Sequence, residues 1–203
     1  MTFDKLADRC LLFVDTEKNL LIELLKEAEI EMSRKCNIFE NSRGYYTLGT
    51  DHIFQLPSDY KQMILAKWKN YKLLPIHEDE VDYDTDGNIK SGTPSGYFIR
   101  NNDLHLNYIP ELSSTVKRLN ISYYGVVDNT QPLTTVDTAS VVEKPMIPDA
   151  YHRDLCDYAI AIAAAKSLPD LHTKHWNMWN SNLLNIQNED ADRELVHSIK
   201  EDI

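Results

Sequence analysis

The stretch Asp82-Tyr83-Asp84-Thr85-Asp86-Gly87-Asn88-Ile89 comes nearest to a chemical site in this chain. Oxygen-bearing residues at positions one, three and five, glycine at six and an aliphatic residue at eight copy the start of a calcium loop. The twelfth position should be a bidentate glutamate and is Thr93, and Pro94 argues against a following helix. A calcium-binding interaction module using Asp82, Asp84 and Asp86 is therefore the alternative to a plain acidic loop turning at Asp86-Gly87-Asn88. His172 and His175 stand three apart, a spacing that needs further ligands to hold a metal, and no His-Glu-x-x-His occurs. A hydrolase reading would have to use histidines such as these and His152. No Gly-x-Ser-x-Gly elbow is present, and the Gly-rich run from Ser91 to Gly96 lacks the lysine of a phosphate loop. The expectation is a protein with no catalytic residue, no cofactor and no metal, that is, not an enzyme.

Composition sets the class. The 203 residues suffice for one domain, or for one compact unit with a helical and a β part. Cys10, Cys36 and Cys156 are odd in number and far apart, so they read as reduced, buried thiols of a protein made in a reducing cytoplasm. The N-terminus carries Asp4, Asp8 and Asp15 and no long apolar run, unlike a signal peptide, and nothing approaches a membrane span. The net charge of −11 argues against holding nucleic acid by phosphate neutralisation.

The elements that must carry any function fall into an α+β arrangement: a helical bundle from the N- and C-terminal segments (1–36 and 147–203) with an inserted antiparallel β part (37–146). Leu6, Cys10 and Phe13 mark one side of a short helix over 4–13. Asp15-Thr16-Glu17 offers cap chemistry for a second helix running to Lys35, with Leu21, Leu24, Leu25, Ala28 and Met32 as its stripe and Glu23, Glu27 and Glu31 on the wet side. Short strands follow at 44–48 and 52–56, then a helical turn over 57–60 capped by Ser58. A hairpin 63–68/72–76 closes at Asn70-Tyr71; a single helix from Ser58 to Leu74 is its competitor. After an exposed acidic loop at 77–95, residues 96–124 alternate as a β-meander turned at Asn101-Asn102, a pair that tolerates positive φ. Residues 125–146, with Pro132 and Pro145, read as an extended connector.

A third helix opens at Pro148 or Asp149, and its run Ala159-Ile160-Ala161-Ile162-Ala163-Ala164-Ala165 is apolar nearly all round. Pro169 stops it and Asp170 caps the next, whose stripe is Trp176, Trp179, Leu183 and Ile186. The acidic stretch from Glu189 to Asp202 has only Leu195, Val196 and Ile199 as apolar anchors. Surface residues expected at an assembly interface are Ala159, Ile160, Ala163, Ala164, Trp176, Trp179, Leu195 and Ile199; for the two tryptophans a core role competes.

The order of these elements resembles the head–tail connector proteins of tailed bacteriophages, called adaptor, ring or neck proteins, and tail tubular protein A in short-tailed phages. The residues that carry the resemblance are Phe54-Gln55-Leu56-Pro57-Ser58-Asp59-Tyr60, Pro94-Ser95-Gly96-Tyr97-Phe98-Ile99, Leu104-His105-Leu106 with Pro110, Ile121-Ser122-Tyr123-Tyr124 and Ile147-Pro148-Asp149-Ala150-Tyr151-His152. It implies a structural virion protein of the neck or tail, assembled in the host cytoplasm. It further implies a homo-oligomeric ring, commonly of twelve copies, below the portal protein. Such a ring extends the channel through which DNA passes without sequence-specific binding, and it receives downstream tail or ring proteins. Twelve copies at −11 each would place −132 in the ring. By position, Glu189 to Ile203 would be the segment that docks on portal.

Overall fold

The structure is a computed structural model that describes residues 1–47, 50–111, 117–128, 133–137 and 140–201; the side chains of 117, 133–137, 140–142 and 192–201 lie outside that description. It is a mixed α+β protein with four α-helices and a large, mostly antiparallel sheet. Two compact units divide the chain: Met1–Phe39 with Gly125–Ile203, and Glu40–Tyr124.

In the first unit, α1 (Phe3–Cys10) starts at Thr2, whose hydroxyl accepts the Lys5 N–H at 3.3 Å. It ends at Cys10, three residues before the expected stop, so Phe13 lies beyond it and is 52 % exposed rather than buried beside Leu6 and Cys10. Helix α2 (Lys18–Lys35) keeps its stripe, with Leu21, Leu24, Leu25, Ala28 and Met32 all buried. Its N-cap position is Glu17 and carries no side-chain bond, against the expectation for Asp15-Thr16. Lys18 instead ties its first turn to Asp4 and Asp8 of α1, at 2.8 and 2.6 Å. A 3-10 turn at Asp149–Tyr151 leads into α3 (His152–Ala164), which packs against α1, α2 and α4 (Pro169–Glu201). Pro169 begins α4, where its missing N–H leaves no bond unmade, and Asp170 puts its charge in the first turn instead of capping.

The second unit holds seven strands: β1 (Glu40–Thr47), β2 (Ile53–Gln55), β3 (Tyr60–Trp68), β4 (Tyr71–Pro75), β5 (Gly96–Arg100), β6 (Asp103–Leu106) and β7 (Lys117–Gly125). Their order is β1-β7-β3-β4-β5-β6-β2. Three sequence expectations change here. Residues 96–124 are not a meander: β5 and β6 form the hairpin, but β7 crosses to lie between β1 and β3. The pair β4–β5 is parallel, in an otherwise antiparallel sheet. Residues 57–60 make a tight turn closed by Tyr60 N to Pro57 O at 3.0 Å, not a helical turn capped by Ser58. The β3–β4 hairpin forms in place of the competing helix, with Lys69-Asn70 as its loop, one residue earlier than expected. Lys69 takes φ 56°, and Asn101 and Asn102 take 52° and 66° in the β5–β6 turn. The core is one-sided and built from Phe54, Leu56, Ala66, Trp68, Leu73, Tyr97, Leu104, Leu106, Leu119, Ile121 and Tyr123.

Residues 125–146 are assigned to the first unit and not to the β part. They are also not a plain connector, because β8 (Leu133–Asp137) and β9 (Ser140–Lys144) pair as a separate antiparallel hairpin. Glu143 at its end meets Lys26 of α2 at 2.8 Å.

Candidate functional site: buried staples and assembly surfaces

The all-round apolar character of α3 has a direct structural reading. A helix with no polar face is one covered on every side. Here the cover comes from the chain's own helices: Ala159, Ile160 and Ala164 are buried, as is Trp179 on α4. These four residues are core of the single chain, which removes them as free docking anchors. Ala163 and Trp176 are half-buried at the margin of that core. Leu195 and Ile199 fall on α4 but among the side chains outside the description. Exposed apolar side chains gather elsewhere, at Leu11, Leu12 and Phe13 after α1 and at Leu20 and Leu184.

The core of this unit also contains a set of polar groups that the sequence reading passed over. Glu29 is 0 % exposed. Its Oε1 accepts the backbone N–H of Met146 and that of Ile147, the latter at 3.0 Å. Burial pushes its carboxyl up to about 7, against the pull of those two donors. One turn on, the buried Ser33 hydroxyl donates to Ile30 O and accepts the Val127 N–H at 3.0 Å. The two residues hold both ends of the segment by which the chain returns to this unit. Their signal was present in the sequence: Glu29 and Ser33 continue the i, i+4 line of Leu21 and Leu25.

Asp157 and His175 form a second buried pair, joining α3 to α4 through Nδ1–H to Oδ1 at 2.8 Å. The edge of the Phe13 ring lies on His175, with centroids 5.6 Å apart. Asp154, one turn before Asp157 and held by the Asn182 amide, is pushed up to about 6, first by burial and then by the Asp157 charge. His172 bonds Ala161 O and stacks on Trp176. His152 bonds Ile147 O through Nε2 and faces the N-terminal amine and Asp149 through Nδ1. Burial holds its imidazole below its ordinary range. Each histidine thus has its own structural partner. Among the described residues, no group of three His, Cys, Asp or Glu side chains could hold a metal. Cys10, Cys36 and Cys156 are buried and unpaired.

The acidic loop is built as a turn. Asp84 Oδ1 accepts the N–H groups of Asp86 and Asn88, both at 2.9 Å, Gly87 takes φ 79°, and Tyr83 bridges Ile89. Asp82 is turned away to the Tyr108 hydroxyl at 2.6 Å, and Thr93 leads into β5 where a calcium loop needs a glutamate on a helix. Asp82, Asp84 and Asp86 therefore do not converge on one point.

No helix among the described residues is long and apolar enough to cross a membrane. Comparison with curated proteins returns no match. The family model of the SU10 adaptor protein matches residues 1–197, nearly the whole chain. That is a family of phage head–tail adaptors, which makes the chain a structural virion component that meets other head and tail proteins. On that match, the chain belongs to the SU10 adaptor protein family.

Proposed function

We propose that copies of this chain close into a ring, of twelve in the reading favoured by the resemblance, beneath the portal vertex. The ring joins capsid to tail and prolongs the DNA channel. Helical segments of each copy form a bundle that packs against its neighbours, and the β unit serves later tail or ring proteins. The chain works by binding alone, with no catalysis, and assembles in the host cytoplasm before tail attachment. The whole-chain family match carries this reading. Two physical features support it. Leu11, Leu12 and Phe13 are consecutive exposed apolar side chains, Leu12 81 % open, and such a group gains by being covered. The net charge of −11 per copy lets phosphates slide past rather than stick. The C-terminal end of α4 is the segment proposed to reach portal.

Native mass spectrometry of the chain with portal protein, joined to cryo-electron microscopy of the virion neck, is the test. A closed ring below portal is the expected result. A chain that stays monomeric with portal and is absent from purified virions would remove the proposal.

A further inference from the structure

Residues 40–124 hold nine basic and eleven acidic side chains, a balance of −2, whereas the rest of the chain holds twelve and twenty-one, or −9. The charges of the β unit are nearly matched in number but separated in space. Lys67 and Lys72 stand directly opposite each other across β3 and β4. Like charges in that relation are destabilising, so the pair has a cost that nothing in the hairpin itself offsets. Lys69 sits in the loop of the same hairpin, and its N–H bonds Arg118 O at 2.7 Å on the neighbouring β7. All four side chains are exposed, and Arg118 lies over the Tyr46 ring. Among the described residues, Lys67 and Lys69 have no carboxylate at ion-pair distance.

The acidic side chains occupy the other end of the strands. Leu74 of β4 is level with Gly96 of β5, and the two strands run parallel. Asn70 lies four residues before Leu74, and Arg100, which pairs with Glu78, lies four after Gly96. Eight residue levels of strand span about 26 Å. Glu78, Asp79, Glu80, Asp84 and Asp86 are exposed and belong to the loop that leaves β4 at that far end. A basic rim and an acidic rim on one unit complement each other, and the distance keeps them from satisfying each other within one copy.

We propose that the partner of the basic rim (Lys67, Lys69, Lys72, Arg118) is the acidic loop (Glu78–Asp86) of a second copy of this chain. The contact is heterologous, head to tail, which is the type that generates rings. This inference rests on the ring reading and names one of its contacts.

The test uses charge reversal on the full chain, followed by sedimentation velocity at low and at 0.5 M salt. Wild type should self-associate at low salt, about tenfold more weakly at high salt. Lys67→Glu/Lys69→Glu and, separately, Asp79→Lys/Asp86→Lys should each abolish association. An equimolar mixture of the two variants should restore it, because both of their mutual contacts become attractive again; circular dichroism confirms that each is folded. Either variant associating like wild type would overturn this contact while leaving the ring untouched. Wild type failing to associate at any salt would overturn it too, and portal co-purification would then decide the ring reading separately. Duplex DNA bound by wild type and released by Lys67→Glu/Lys69→Glu, with self-association unchanged, would replace the second copy by phosphate as the partner.

Discussion

The two units of this chain handle polar groups in opposite ways. Of the six buried polar or charged residues, five lie in the helical unit: Glu29, Ser33, His152, Asp157 and His175. The β unit buries only Thr47 and leaves its charges outside. The difference follows from chain connectivity. The β unit is one continuous stretch whose backbone groups are used up by neighbouring strands. The helical unit is interrupted at Phe39 and resumes at Gly125, so irregular backbone must cross its core. Buried N–H groups in such a crossing need acceptors. Glu29 and Ser33 supply them at Met146, Ile147 and Val127. A discontinuous unit is held by side-chain staples; a continuous sheet is not.

The strongest way to break this contrast is Glu29→Ala. It strips two buried N–H groups of their acceptor, and each unsatisfied group costs about 1–3 kcal/mol. Part of that is offset by losing a poorly solvated carboxylate, so the expected loss is about 3 kcal/mol. Urea unfolding followed by tryptophan fluorescence reads it unit by unit, since Trp176 and Trp179 lie in the helical unit and Trp68 in the β unit. The helical signal should shift to lower urea, and the Trp68 signal should not follow. Equal shifts in both signals would mean the units unfold as one and the contrast has no energetic content.

A smaller effect comes from pH. Glu29 has a carboxyl raised to about 7 when folded, from 4.5 in the free chain. The native state therefore holds this proton where the unfolded state has lost it, and stability falls as pH rises from 4.5 through 7. Asp154, pushed up to about 6, acts in the same direction. His152 opposes both: held low by burial, its contribution is present above its ordinary range and fades as pH drops below it. Between pH 8 and pH 5 the Glu29 share is about 2 kcal/mol. Glu29→Gln keeps an acceptor for the two N–H groups and cannot ionise. The difference in stability between wild type and Glu29→Gln should thus grow in favour of the glutamine as pH rises, with other titrations cancelling. A constant difference across that range would show that Glu29 titrates normally.

In the β unit the corresponding test is Gly96→Ala. A Cβ there would meet the Ile76 side chain at 2.9 Å and the Leu74 carbonyl oxygen at 3.2 Å. The side chain can shift but the carbonyl cannot, so about 1–2 kcal/mol is expected. It should appear in the Trp68 signal alone.

The two units also differed in how far the sequence revealed them. Local periodicity located α2, the β3–β4 hairpin and the Asn101-Asn102 turn, because each depends on near neighbours in the chain. The place of β7 between β1 and β3 was hidden, since pairing Glu40 with Tyr124 is a long-range choice that alternation cannot encode. The core role of α3 was misassigned for a related reason. An apolar surface on all sides says that a helix is covered and does not say by whom. Glu29 was legible in principle from its line with Leu21, Leu25 and Ser33, but a glutamate in a stripe is easily read as an exception. The family match covers residues 1–197 and so includes both units, but it names no residue that touches another protein.

The smallest expected effect lies at Lys69. A lysine at φ 56° bears the strain of left-handed backbone, about 1–2 kcal/mol for a residue with a Cβ. Asn101 and Asn102 take the same region with a side chain that tolerates it. Replacing Lys69 by glycine removes the strain but adds about 0.5–1 kcal/mol of backbone entropy to the unfolded chain. The net expectation is a gain of about 0.5 kcal/mol in the Trp68 transition, with the helical transition unchanged. Lys69→Asn gains similarly without that entropy term. A lysine retained where asparagine or glycine would be more stable has been kept for its charge, consistent with a basic rim that has something to hold. If both substitutions destabilise the unit, the lysine stem is packing on the hairpin and its presence needs no partner.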